Sequence, residues 1–146
     1  MEDSLIRSTL TQGLPALGLG EELIPQLTEF SRLLLEKNQV MNLTAITEPR
    51  EVATLHLLDS LSLAPREDLS GRRIIDVGTG AGFPGVPLAI ALPESEVTLL
   101  DSLGKRVSFL AEVREALGLG NVVCVHARAE EFAAGHRETY DAVVSR

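Results

Sequence analysis

The stretch Ile74-Ile75-Asp76-Val77-Gly78-Thr79-Gly80-Ala81-Gly82-Phe83-Pro84-Gly85 decides the fold, together with the apolar run 86–92 that follows it. An apolar strand ends in a carboxylate, breaks into glycines and resumes as a helix, a unit that brings bare backbone against a ligand. Two ligand classes compete for it. Gly80-x-Gly82-x-x-Gly85 satisfies the dinucleotide pattern, and Asp101 follows about 20 residues on, where an acid that holds a ribose is expected. Asp76 argues against a dinucleotide, which seats its pyrophosphate at the helix N-terminus, where partial positive charge and free N–H groups favour an anion. A carboxylate just before the first glycine would repel that anion and would suit a cationic head. S-adenosylmethionine (AdoMet) has an α-ammonium and a sulfonium and no phosphate, so the pattern Asp-x-Gly-x-Gly-x-Gly reads as a loop for that cofactor. A purely structural reading is a glycine turn in which Asp76 acts as a cap.

Outward from this loop the chain alternates strand and helix. Predicted strands cover 74–77, 97–100 (closing with Asp101), 122–125 and 142–144, and the first is a continuous apolar run of the kind buried on both faces. Predicted helices cover 86–92, 105–117 and about 129–134. This β-α-β-α-β-α-β order, with right-handed crossovers, gives an α/β fold with a doubly wound parallel sheet, Rossmann-like. Upstream, a short amphipathic helix ends near Gly13. A longer one starts at Glu21-Glu22, with Asn38 and Asn42 flanking its end. A third opens at Thr47-Glu48-Pro49, with Thr47 as N-cap, and runs to about Ala64. The division is an N-terminal helical region, 1–71, and an α/β domain, 72–146. The last strand stops at Ser145-Arg146, where a parallel strand normally leads into another helix, so the α/β domain is expected to be incomplete at its C-terminal end.

Bulk properties narrow the function. A chain of 146 residues with 45% hydrophobic and 3% aromatic residues builds an aliphatic core. One cysteine, Cys124, in the apolar run 122–125, excludes an internal disulfide and a cysteine metal cluster. His56, His126 and His136 have no ligand spacing, and no metal is expected. No apolar run reaches the ~20 residues of a membrane span, and Glu2 and Asp3 stand where a signal peptide would be basic. A cytoplasmic setting is expected. The formal net charge of −8 opposes simple nucleic-acid binding. An RNA substrate would have to meet a local basic patch such as Arg72, Arg73, Lys105 and Arg106, or a segment outside this chain; otherwise those residues form a solvated loop face.

In such sheets the ligand lies beyond the carboxyl ends of the strands. Gly78 and Gly80 would let backbone approach the methionine part, Asp101 would accept the ribose hydroxyls, and Ala129-Glu130 would meet the adenine edge or simply start a helix. Phe83 offers an apolar wall or is core. Arg146 would clamp the ligand carboxylate or substrate, or is a solvated end. His56 and Asp59 share a helix face and are read as a satisfied structural pair.

The chain resembles the RsmG (GidB) family, bacterial methyltransferases acting on N7 of a guanine in 16S ribosomal RNA. Asn38-x-x-x-Asn42-Leu43-Thr44, His56-x-x-Asp59-Ser60, the loop from Asp76 to Pro87, Leu99-Leu100-Asp101-Ser102-Leu103-Gly104-Lys105-Arg106, Arg128-Ala129-Glu130-Glu131-Phe132 and Val144-Ser145-Arg146 follow that family's signatures in order. The Leu-Leu-Asp-Ser-Leu-Gly-Lys-Arg block is the most specific. The chain departs at Lys37, where the family often has Trp, and at Leu55, where it often has Arg. The resemblance implies a class I AdoMet-methyltransferase fold, AdoMet contacts at Gly78, Phe83, Ala129, Glu130 and Arg146, and 16S rRNA or a small-subunit intermediate as partner.

The residues fit that chemistry. No Asn/Asp-Pro-Pro-aromatic motif is expected after the fourth strand, which Ser145-Arg146 follow, and Cys124 is mid-strand rather than in a Pro-Cys loop, which disfavours a cysteine adduct. Guanine N7 carries a free in-plane lone pair, so no catalytic acid or base is expected. Two rivals are an AdoMet methyltransferase for a small molecule or protein, and a truncated, non-catalytic AdoMet-binding module.

Overall fold

The four apolar runs pair into one parallel sheet. In the computed structural model, which describes residues 2–65, 69–136 and 139–146, they are β1 (Arg73–Val77), β2 (Glu96–Asp101), β3 (Val122–His126) and β4 (Ala142–Val144). The spatial order is β3-β2-β1-β4. Register sets Asp76 beside Leu99, Val77 beside Leu100 and Asp101 beside His126. Central strands of such a sheet lose solvent on both faces. Accordingly Ile74, Ile75, Val97, Leu99 and Leu100 are buried, while Val143 on the edge strand β4 is 69% exposed.

Helices α5 (Gly85–Ala91), α6 (Gly104–Leu117) and α7 (Ala129–Gly135) follow β1, β2 and β3. The chain steps outward from β1 to β3 and then returns to the other side of β1. The resulting switch point, between the carboxyl ends of β1 and β4, is where open α/β sheets bind ligands. Cys124 is half-buried on β3, and burial pushes its thiol pKa up.

The helical region holds α1 (Glu2–Gly13), α2 (Ile24–Met41) and a continuous rod, 49–61. The rod is α-helical over α3 (Pro49–Glu51), π-wound over Val52–Leu58 and α-helical again over α4 (Asp59–Leu61). Asn42 ends α2 with φ +52, a left-handed cap that Asn tolerates. The rod's N-cap is Glu48, not Thr47. Its carboxylate accepts the amides of Arg50 at 3.1 Å and Glu51 at 3.0 Å. Pro49 holds the preceding residue extended, so the cap lies immediately before the proline, and an acid there suits the helix dipole.

One apolar cluster crosses from this region into the sheet domain. Ile6, Leu10, Leu27, Leu34, Leu57 and Leu61 are fully buried and continuous with Val86, Phe109, Leu110 and Val113. At the seam the Phe30 ring of α2 lies 5.3 Å from that of Phe83 in the glycine loop. The helical region therefore packs directly behind the loop. Among the described residues no helix is long and apolar enough to cross a membrane.

Candidate functional site

Three glycines shape the turn after β1, with φ of +67 at Gly78, +60 at Gly80 and +106 at Gly82. Side chains rarely adopt such angles. A Cβ on Gly82 would lie 2.8 Å from Val86 and 2.9 Å from Leu110, so that glycine serves packing. A Cβ on Gly78 or Gly80 would meet nothing within 4 Å, so those glycines leave open space beside the backbone. The loop is strapped to β2. Thr79 donates its amide to the Leu100 carbonyl at 3.0 Å, and Gly80 donates its amide to Asp101 Oδ2 at 2.9 Å.

Asp76 is fully buried. Its Oδ2 accepts the Thr79 hydroxyl at 2.6 Å and the amide of Gly85, the first residue of α5, at 2.8 Å. It therefore caps the turn rather than facing a ligand directly. The electrostatic reading survives in a different form: the place where a pyrophosphate would meet α5 is filled by a carboxylate. Burial raises the Asp76 carboxyl pKa to about 6, against the lowering effect of its two hydrogen bonds.

Beyond β1 and β2 opens a cleft of ≈ 480 Å³, within the range of small-ligand sites. Four of the expected residues line it: Gly78, Asp101, Ala129 and Glu130. Ser102, Arg106 and Arg128 line it as well and were not foreseen, although each lies within a few residues of a strand's carboxyl end. Asp101 is 4% exposed; its Oδ1 accepts the Leu103 amide at 2.9 Å and lies 3.6 Å from the Arg106 guanidinium. The lining carries both charge signs, as a zwitterionic guest requires. Ala129 and Glu130 open α7, with Arg128 as N-cap.

Phe83 and Arg146 lie elsewhere, on the β4 side. The Phe83 ring is buried, stacked on His56 at 4.3 Å and 11°. Arg146 points to the π-wound segment. Its Nη2 donates to the Leu55 carbonyl at 2.8 Å, and its Nη1 lies 3.3 Å from His56 Nδ1. The guanidinium is 3.7 Å from Asp59 and 5.8 Å from the Phe83 ring centre. Its neighbour Ser145 donates to the Val77 carbonyl at 3.3 Å, so this terminus adjoins the glycine loop.

His56 is satisfied by Thr44, whose Oγ1 lies 2.8 Å from Nε2, and by Arg146. Asp59 instead pairs with Arg146. Burial lowers the His56 pKa, Arg146 lowers it further, and Asp59 partly opposes them. The four basic residues do not form one patch. Arg73, at the amino end of β1, pairs with Glu96 at 3.3 Å and lies over Tyr140, and Arg72 precedes it. Lys105 and Arg106 lie past the opposite end of the sheet, after Asp101. Among the described residues no group of His, Cys, Asp and Glu could hold a metal ion.

The model of the family described as rRNA small subunit methyltransferase G (GidB) matches residues 23–146. The chain belongs to this family. The resemblance read from the signature blocks therefore stands. GidB-family relatives named ribosomal RNA small subunit methyltransferase G include one from Alkaliphilus metalliredigens, 49% identical over 100% of this chain and 62% of its own length. Another, from Alkaliphilus oremlandii, is 56% identical over 84% of this chain and 53% of its own length. The chain thus spans between about half and two thirds of these relatives. Among solved structures, a coclaurine N-methyltransferase bound to N-methylheliamine and SAH matches with TM-score 0.54 and 22% identity, over 98% of this chain and 48% of that one. A precorrin-6y C5,15-methyltransferase from Geobacter metallireducens matches with TM-score 0.51 and 19% identity, over 73% and 51%. These neighbours establish the class I methyltransferase fold for the GidB-family chain.

Proposed function

We propose that this chain forms the AdoMet-binding part of an enzyme that methylates N7 of a guanine in 16S rRNA, in the cytoplasm, on the free RNA or a small-subunit intermediate. One observation carries the cofactor: Asp76 fills the α5 N-terminus that a pyrophosphate needs, while Gly78 opens onto a cleft bordered by Asp101 and Glu130. Support for the substrate comes from the GidB-family relatives' names. The coclaurine methyltransferase bound to SAH supports the cofactor class.

In this reading AdoMet, when bound, supplies an electrophilic methyl on its sulfonium. The backbone of Gly78 and Gly80 borders the methionine part. Asp101 keeps acceptor capacity beyond its bonds to Gly80 and Leu103, and offers it to the ribose hydroxyls. Ala129 and Glu130 meet the adenine edge. Phe83 and Arg146 bound the site on the β4 side, where Arg146 would reach the methionine carboxylate. Guanine N7 has no proton to lose, so alignment and charge complementarity supply the catalysis, and no residue serves as acid or base.

The acidic balance, net −8, favours a second reading in which a small molecule or protein accepts the methyl. Labelled AdoMet supplied with bare 16S rRNA, small subunits and a small-molecule extract separates the two. Label at a guanine N7 of the RNA is expected. Label in the extract alone supports the second reading, and tight binding with no transfer supports a binding module.

A further inference from the structure

A polar chain at the carboxyl end of β4 joins Arg146 to Asn38, Thr44 and His56, which have no part in the chemistry above. Asn38 Oδ1 accepts the Thr44 amide at 2.8 Å, and Thr44 Oγ1 accepts the Ile46 amide at 3.0 Å. The same Oγ1 lies 2.8 Å from His56 Nε2, and His56 Nδ1 lies 3.3 Å from Arg146 Nη1. A guanidinium has donors only. The ring nitrogen facing it must therefore present a lone pair, so the ring proton sits on Nε2 and is donated to Thr44. The arginine face thus selects one neutral tautomer, and the Thr44 hydroxyl, which can accept as well as donate, accommodates it. The imidazole plane is fixed as well, by stacking on Phe83, which Phe30 backs at 5.3 Å. Residues from α2, the loop after it, the π-wound segment, the glycine loop and the β4 end meet in this one network.

We propose that His56 is a positioning residue: its neutral Nε2–H form holds Arg146 at the β4 side of the glycine loop, so ligand affinity depends on the Nδ1 lone pair. This rests on the reading of Arg146 as a ligand contact. The charged groups that act on the ring are Arg146, from the β4 end, and Asp59, from α4. Thr44 and Phe83 face it without charge. A proton on Nδ1 turns the acceptor into a donor beside a second cation, and Arg146 loses that anchor. Affinity therefore falls on acidification, beginning below the ordinary histidine range.

Two substitutions separate positioning from bulk. His56→Asn places a carbonyl where Nδ1 lies, and His56→Gln places an amide where Nε2 lies. Both lose the stacked ring equally. Calorimetry with S-adenosylhomocysteine, on variants whose folding is checked by thermal melts, is expected to show H56Q weakened about tenfold and H56N within about threefold of the unmodified chain. The acid-side loss of affinity should be reduced in H56N. Equal losses in the two variants, or an unchanged acid profile in H56N, would overturn the proposal. Nitrogen-15 NMR of the ring in the ligand-free chain tests the tautomer without any variant: Nδ1 unprotonated is expected, and Nδ1 protonated overturns it. If the unmodified chain binds no S-adenosylhomocysteine while the NMR shows the expected tautomer, the cofactor reading has failed and the anchoring of Arg146 stands.

Discussion

Asp76 and Gly85 are joined by a 2.8 Å hydrogen bond that closes the N-terminus of α5 with the protein's own carboxylate. Removing the carboxylate leaves the buried Gly85 amide and Thr79 hydroxyl without this partner. Asp76→Ala is therefore expected to cost about 1–3 kcal/mol in urea unfolding. Asp76→Asn, which retains an acceptor for Gly85, should cost less.

The same residue shapes the acid behaviour of the fold. Its carboxyl pKa is raised by burial from 3.8 to about 6. A group that holds its proton more tightly when folded contributes stability that is fully present below pH 3.8 and lost as pH rises through about 6. His56 has the opposite sign: its pKa is lowered from 6.5, so its contribution is present above pH 6.5 and lost on acidification. Measured stability between pH 4 and 7 should thus be flatter than either group alone would give. In Asp76→Asn the histidine effect is left unopposed, and stability should fall more steeply on acidification. An unchanged profile would contradict the assignment.

Gly78 and Gly82 share a left-handed backbone but differ in surroundings. Gly82→Ala forces a methyl against Val86 and Leu110 and is expected to destabilise by about 2–4 kcal/mol. Gly78→Ala carries the backbone penalty alone, about 1 kcal/mol, yet its methyl projects into open space at the cleft. It should lower AdoMet affinity at least about tenfold while the chain stays folded, as thermal melts and calorimetry together would show.

Asp101 ties Gly80 and Leu103 and lies 3.6 Å from Arg106. Asp101→Ala should weaken AdoMet binding strongly, while Arg106→Ala, whose side chain is 42% exposed, should leave stability within about 1 kcal/mol. Unchanged affinity in Asp101→Ala would remove the ribose role.

Apolar periodicity made the sheet legible. Buried parallel strands are continuous runs of Ile, Val and Leu, so 74–77 and 142–144 lie within a residue of the observed strands. Gly78, Asp101, Ala129 and Glu130 were legible because strand ends converge on one edge of such a sheet. Contacts between distant segments were not. Nothing local signals that Arg146 turns to Leu55 and His56, about 90 residues away, or that Asp101 gives one oxygen to the Gly80 amide of the glycine loop. The π winding of Val52–Leu58 leaves no mark in the apolar spacing. Arg73 and Lys105 looked like neighbours in a patch because charge counts carry no direction; the strand between them separates them by the depth of the sheet.

The central claim is that a buried carboxylate at the head of α5 makes this a site for a sulfonium cofactor and not for a diphosphate. Titrating the chain with AdoMet and, separately, with NAD in a calorimeter tests it most directly. Saturable heat with AdoMet and none with NAD is the predicted result, and saturable heat with NAD alone would contradict the account.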